Sequence, residues 1–112
     1  MPQKQIDEET ARQIQELQLL EQNLQNFMLQ KNAFTLEKNE SENALEEMKK
    51  TDEDVYKIIG QVMIKSKKSA VEKELQHKKD IIELRIKSIE KQEDLIKSQL
   101  MKKRDEVMKK LR

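Results

Sequence analysis

Apolar side chains recur along the first half of the chain in alternating steps of three and four. Ile6, Leu17, Leu20, Leu24, Phe27, Phe34, Leu45 and Met48 fall on this spacing, with Thr10 completing the run. A heptad of this kind lines one stripe of a long helix, predicted here over about residues 6–50. Asp7, Glu8 and Glu9 lie in its first turn and Lys49 and Lys50 in its last, the charges that the helix dipole favours at each end. The spacing returns at Leu75, Ile82, Ile86, Ile89, Ile96, Leu100 and Val107, which predicts a second helix over about residues 69–111. Its opening residues, SAVE at Ser69 to Glu72, have the form of a capping box. Each helix would run to about 45 residues and about 65 Å.

Between the helices the pattern changes. The stretch DVYKIIGQVMIKS, residues 54–66, crowds the β-branched Val55, Ile58, Ile59, Val62 and Ile64 around Gly60, the only glycine of the chain. With Gly60 and Gln61 as a two-residue turn, the flanking segments form a β-hairpin. One face then carries Val55, Lys57, Ile59, Val62 and Ile64, and the other Tyr56, Ile58, Met63 and Lys65. A helix running straight through would cost only about 1 kcal/mol at the glycine, but the density of β-branched residues argues against it. Both faces of the hairpin are largely apolar, a lone hairpin is marginal in water, and a two-helix coiled coil has no spare surface to cover it. The insert is therefore expected to be an assembly element, through which hairpins of several chains join into a shared sheet or barrel.

Charge decides how the helices pair. Residues 1–48 carry four basic and ten acidic side chains, net −6, and residues 65–112 carry sixteen basic and nine acidic, net +7. Opposite fields favour antiparallel association, in a register that sets Leu24 near Leu100, Phe27 near Ile96 and Phe34 near Ile89. In that register the polar seam residue Lys31 faces Glu93. The pair would mark the register, since a slip leaves each charge among apolar neighbours; alternatively both side chains snorkel to solvent. The expected fold is mostly α: a long antiparallel two-helix coiled coil joined by one β-hairpin that oligomerises into a shared sheet or β-barrel, all 112 residues forming one domain.

Composition removes several function classes. Charged residues make up 40% of the chain and aromatics 3%, too little apolar bulk for a rounded core. There is no cysteine, hence no disulfide frame or thiol nucleophile, and a reducing compartment fits. No apolar run reaches membrane-spanning length and MPQKQIDEET lacks the core of a signal peptide, so a cytoplasmic protein without membrane contact is expected. One glycine rules out a phosphate-cradling loop. His77 stands alone on a charged helix, and the carboxylates sit among lysines that pair or solvate them. Neither an enzyme nor a metal or cofactor site is expected.

Helix, VYKIIGQVMIK, helix, within about 110 residues, resembles prefoldin, and the single hairpin is similar to the β-type subunit of that family. The resemblance covers essentially the whole chain and rests on Val55, Tyr56, Lys57, Gly60 and the strand QVMIK, with LRIKSIEKQED at residues 84–94 also reading like the family. The α-type subunit carries two hairpins, and here there is room for one. The first helix departs from the pattern by placing Lys38 and Ser41 at seam positions. The resemblance implies a subunit of an α2β4 hexamer built on a double β-barrel, an ATP-independent chaperone that captures unfolded polypeptides and delivers them to a group II chaperonin. The assembly residues are then Val55, Tyr56, Ile58, Ile59, Gly60, Val62, Met63 and Ile64.

For capture, the ends of the helix pair are the natural place, before about Leu24 and after about Leu100. Ile14, Leu19, Met101 and Met108 fall off the seam, so pairing leaves them incompletely covered. Methionine suits a surface that accepts unrelated apolar segments. Fraying would add Leu17, Leu20, Leu24, Leu100, Val107 and Leu111. These residues equally serve to close the coiled coil, most plainly Leu17, Leu20, Leu24 and Leu100. The run KSQLMKKRDEVMKKLR has seven basic and two acidic residues. It reads as a helix-dipole complement, as a dock for an acidic chaperonin surface, or as a nucleic-acid patch; the last is weakened by the lack of interleaved aromatics. A second class of function stays open: a structural coiled-coil tether that binds one defined partner through a helical seam.

Overall fold

The structure, a computed structural model, describes residues 7–111. In chain order it contains α1 (Glu8–Lys49), β1 (Val55–Ile59), β2 (Val62–Ser66) and α2 (Lys68–Leu111). Ile6, expected to open the first seam, lies outside the described residues.

Helix α1 begins where a side chain can satisfy its free amides. Asp7 is the N-cap: its carboxylate accepts the Thr10 N–H at 2.7 Å and its carbonyl accepts that of Ala11. Asp7 therefore stands before the helix, not within its first turn as the charge pattern suggested. At the start of α2 the expected capping box does not form. Val71 donates to the carbonyl of Lys67, which makes Lys67 the N-cap and places Ser69 inside the first turn, where its hydroxyl has no cap amide to accept. The start of α2 is fixed instead by Lys68, whose ammonium donates to the Thr51 carbonyl at 2.8 Å.

The chain divides into two compact units. One joins the residues up to Lys31 with those from Ser88 onward; the other is Asn32–Lys87. In the first, Ile89, Leu100 and Val107 are buried along the seam together with Thr10 and Glu93. In the second, Met48, Ile82 and Ser41 are buried, and the Arg85 guanidinium lies 5.7 Å over the Phe34 ring as a cation–π contact. No large side chain is completely enclosed among the described residues, as expected for a seam one side chain wide.

In both units acidic residues of α1 meet basic residues of α2 in antiparallel order. Glu9 pairs with Lys110, Glu16 with Lys103 and Glu21 with Arg104 in the first unit, and Glu42 with Lys79 in the second. The polar seam positions of α1 are absorbed in the same way. Lys38 approaches Glu83 at 3.8 Å and Ser41 is buried.

The hairpin follows the expected register. Ile59 pairs with Val62, Ile58 with Met63, Lys57 with Ile64, Tyr56 with Lys65 and Val55 with Ser66. Gly60 has φ +60° and no other residue has positive φ among those described, the signature of a type II′ turn with glycine in the first central position. A Cβ at Gly60 would meet nothing within 4 Å, so the position is constrained by backbone strain alone. Gly60→Ala is expected to cost about 1–2 kcal/mol, read as a lower denaturation midpoint of the assembled protein; an unchanged midpoint would refute the turn assignment.

Candidate functional site

Two surfaces stand out, one in each unit. In the unit Asn32–Lys87 it is the hairpin. Alternation along the strands puts Val55, Ile59, Val62 and Ile64 on one face with Lys57, and Tyr56, Ile58 and Met63 on the other with Lys65. Among the described residues little covers either face. Ile58 is 70% exposed and Met63 64%, and Tyr56, Ile59, Val62 and Ile64 are also exposed, with Val55 half-buried. The outer edges of β1 and β2 are unpaired in this two-stranded sheet. The hairpin is tied to its own chain by Lys57, whose ammonium meets the Glu74 carboxylate at 2.7 Å, and across its open end by Lys65 and Asp54 at 3.0 Å.

In the other unit the sequence-predicted binding residues separate into three groups. Leu100 and Val107 are buried in the seam, and Ile14, Leu17, Leu20 and Leu24 are half-buried beside them. Leu19, Met101, Met108 and Leu111 are exposed. The helical step of 3.6 residues sets Met101 and Met108 on the flank of α2 that carries Arg104, and Gln99, Lys102 and Glu106 on the opposite flank. On that second flank an open groove of about 440 Å³ is lined by Leu19, Leu20, Gln99, Lys102 and Lys103. Met28, Leu29 and Leu95 of the same unit are exposed as well, and the heptad reading passed over them. Their signal in the sequence is only that they are apolar residues off the repeat. In the hairpin unit Leu36, Ile81 and Leu84 are exposed in the same manner, and His77 is a solvated surface residue.

The seam of the first unit is held by charge. Lys31 meets Glu93 at 2.9 Å, with the Glu93 side chain almost wholly buried and that of Lys31 one-third exposed. This is the pairing that the antiparallel seam spacing set, and the Glu93 side chain is held within the seam instead of extending to solvent. The hydrogen bond to Glu93, followed by the charges of Glu93, Glu90 and Asp94, raises the Lys31 pKa against the opposing effect of desolvation. Lys103 is likewise raised, chiefly by its hydrogen bond to Glu16, and Glu16 is lowered by the same bond. Asp7 is lowered by the Thr10 hydroxyl and then the Thr10 amide.

These shifts have definite signs in pH. Asp7 and Glu16 titrate below their ordinary values of 3.8 and 4.5, so their contribution is complete above those values and lost as pH falls through the lower folded-state pKa. Lys31 and Lys103 titrate above 10.5, so theirs is complete below 10.5 and lost as pH rises through the higher folded-state pKa. The thermal midpoint is expected to be flat from about pH 5 to about pH 10 and to fall on both sides; a maximum elsewhere would contradict these assignments.

One seam residue is poorly served. The Gln13 side-chain oxygen is buried without a hydrogen-bond partner. A buried acceptor left unmade costs about 1–3 kcal/mol. Gln13→Leu, which also extends the apolar stripe, is expected to raise stability by about that amount, and calorimetry showing no gain would mean that the oxygen is satisfied in solution.

Among the described residues no helix is long and apolar enough to cross a membrane, and no group of acidic and histidine side chains could hold a metal ion. What the geometry offers is two kinds of uncovered apolar surface. The comparisons with known proteins agree in kind. A family model described as prefoldin subunit matches residues 11–112. The prefoldin subunit beta of Methanothrix thermoacetophila is 36% identical over 101 residues, which cover 88% of this chain and 84% of that protein. The prefoldin subunit beta of Sulfurisphaera tokodaii is 36% identical over 97 residues, covering 85% and 78%. The crystal structure of the prefoldin beta subunit from Thermococcus strain KS-1 superposes with a TM-score of 0.88 at 28% identity, covering 98% of each chain. The chain belongs to the prefoldin subunit family and is of its β type.

Proposed function

We propose that this chain serves, with α-type prefoldin subunits, in a cytoplasmic α2β4 hexamer that captures unfolded polypeptides and passes them to a group II chaperonin without using ATP. The hairpins join the subunits into a barrel, and the helix ends hold the client. The observation that carries the reading is the set of exposed apolar side chains beside the seam, Leu19, Met101 and Met108, in a unit whose own packing is already complete along Leu100 and Val107. Exposed methionines adapt to many apolar partners, and several weak contacts around one client multiply through effective concentration. Binding is then set by the number of arms engaged, not by the fit of any one pocket. The assembled protein, without nucleotide, should hold back aggregation of several unrelated denatured proteins and lose this ability when about ten residues are trimmed from each end. Protection of a single client would instead indicate a dedicated tether.

A further inference from the structure

The chain has six methionines and no cysteine, so an oxidant meets its sulfur only as thioether. Met1 lies outside the described residues. The others differ sharply in access. In the unit Asn32–Lys87, Met48 is 8% exposed within the seam, and Met63 stands on the hairpin, on a face that the assembly proposed above would cover. In the other unit Met101 is 67% exposed and Met108 50%, and Met28 is exposed as well.

Met101 and Met108 lie two helical turns apart on one flank of α2, with Arg104 between them by steps of three and four. The Arg104 guanidinium meets the Glu21 carboxylate at 3.3 Å, so the long side chain between the two thioethers is committed to α1. Each methionine directly follows a buried seam residue, Leu100 in one case and Val107 in the other. The open sulfur thus stands where a client would touch, and the closed sulfur of Met48 where the helices hold each other. Adding an oxygen has opposite consequences at the two places. An exposed position takes a polar group at little cost to the fold. The same group pressed against an apolar client gives up its hydrogen bonds to water, which weakens the contact.

We propose that Met101 and Met108 form a reversible oxidation site that switches capture off: a hydroperoxide converts their thioethers to sulfoxides, and methionine sulfoxide reductases convert them back. It rests on the capture role of the helix ends given above. The thioether sulfur attacks the terminal oxygen of the hydroperoxide; the S–O bond forms as the O–O bond breaks, and the proton of that oxygen passes to the departing alkoxide, which leaves as an alcohol. Sulfur loses two electrons and the peroxide gains them. In the return step two thiols of the reductase system supply two electrons and two protons, the oxygen leaves as water, and the thiols are left as a disulfide. Oxidised, the flank exchanges two adaptable apolar side chains for polar ones. The loss recurs in each arm that holds a client, so it compounds across the contacts.

The test uses the full chain in its assembled form and hydrogen peroxide as the probe, removed by catalase before any client is added. Peptide mass spectrometry should find the added oxygen at Met101 and Met108 well before Met48. Protection of several unrelated denatured proteins should fall several-fold, with mass by light scattering and helical circular dichroism unchanged. Methionine sulfoxide reductases for both sulfoxide epimers, supplied with dithiothreitol, should restore it. The proposal is overturned if Met101 and Met108 resist the peroxide, if both are oxidised and protection is unaltered, if protection falls only along with mass, or if reduction brings no recovery. Two variants assign the effect. In Met101→Leu with Met108→Leu, peroxide should leave protection at that protein's own starting value, whereas Met28→Leu should respond as the parent does. Met101→Gln with Met108→Gln should show the several-fold loss with no oxidant present. A leucine protein that responds like the parent, or a glutamine protein that protects as well as the parent, refutes the site. If the untreated protein protects no client, the capture role itself fails and the site falls with it; if it protects clients and only the peroxide response is missing, the capture role stands.

Discussion

Ile59→Asp is expected to dissolve the assembly while leaving the helices in place. Ile59 sits next to the turn, paired across the hairpin with Val62, and over half of its surface is open in the single chain. An aspartate there is harmless to a monomer in water, yet in a contact between hairpins it would be a carboxylate among Val55, Val62 and Ile64, and the cation of that face, Lys57, is already paired with Glu74. A buried unpaired charge costs several kcal/mol, and a symmetric assembly repeats that cost in every copy. Light scattering should therefore show a collapse in mass with helical circular dichroism unchanged, whereas Ile59→Val should be nearly silent. Retention of the parental mass by Ile59→Asp would remove the hairpin from the assembly.

The second large effect is on capture. Replacing Leu19, Met101 and Met108 together by aspartate should abolish protection of unrelated denatured proteins, with assembly mass and thermal midpoint unchanged. All three are exposed, so polar replacements cost the folded chain little. They would remove apolar contact from every arm at once, and affinity built from several weak contacts falls as the product of their losses. Leu100 and Val107 behave differently because both are buried in the seam. Leu100→Ala should lower the thermal midpoint, a truncation of about 2–5 kcal/mol in a buried leucine, and any loss of capture would then follow from loosened helices. If the triple aspartate protein protects clients as well as the parent, the exposed flanks are not where clients bind.

The parts of this fold that sequence discloses are those governed by short, repeated rules. The steps of three and four from Thr10 to Met48 place the seam correctly because the partner helix repeats the same rule. Lys31 could be set against Glu93 because a charge on an apolar stripe has few places to go. Gly60 announced the turn, since positive φ excludes other residues at little distance from β-branched strands. Where the outcome depends on one backbone carbonyl the sequence is mute. SAVE has the composition of a capping box, but the helix begins one residue before Ser69 because the Lys67 carbonyl, present in any residue, accepts Val71. Asp7 was visible as a favourable charge and not as a cap, because the two roles favour the same residue type at adjacent positions.

The candidate surfaces were legible in part for a related reason. Ten residues near the helix ends were picked by hydrophobicity, but hydrophobicity alone does not say which flank faces the partner. The structure divides them into Leu100 and Val107 inside, a half-covered set at Ile14, Leu17, Leu20 and Leu24, and an uncovered set at Leu19, Met101, Met108 and Leu111. The groove beside Leu19 and Leu20 draws on Gln99 and Lys102, whose contribution comes from their position across the pair and from nothing in their own neighbourhood of the chain.

The Gln13 side chain leaves one acceptor of the helix pair without a partner among the described residues. Parting the helices at this level would return hydration worth about 1–3 kcal/mol to that oxygen. This would offset part of the cost of exposing Leu17 and the buried Val107, so the seam is held less tightly at Gln13 than an apolar residue would hold it.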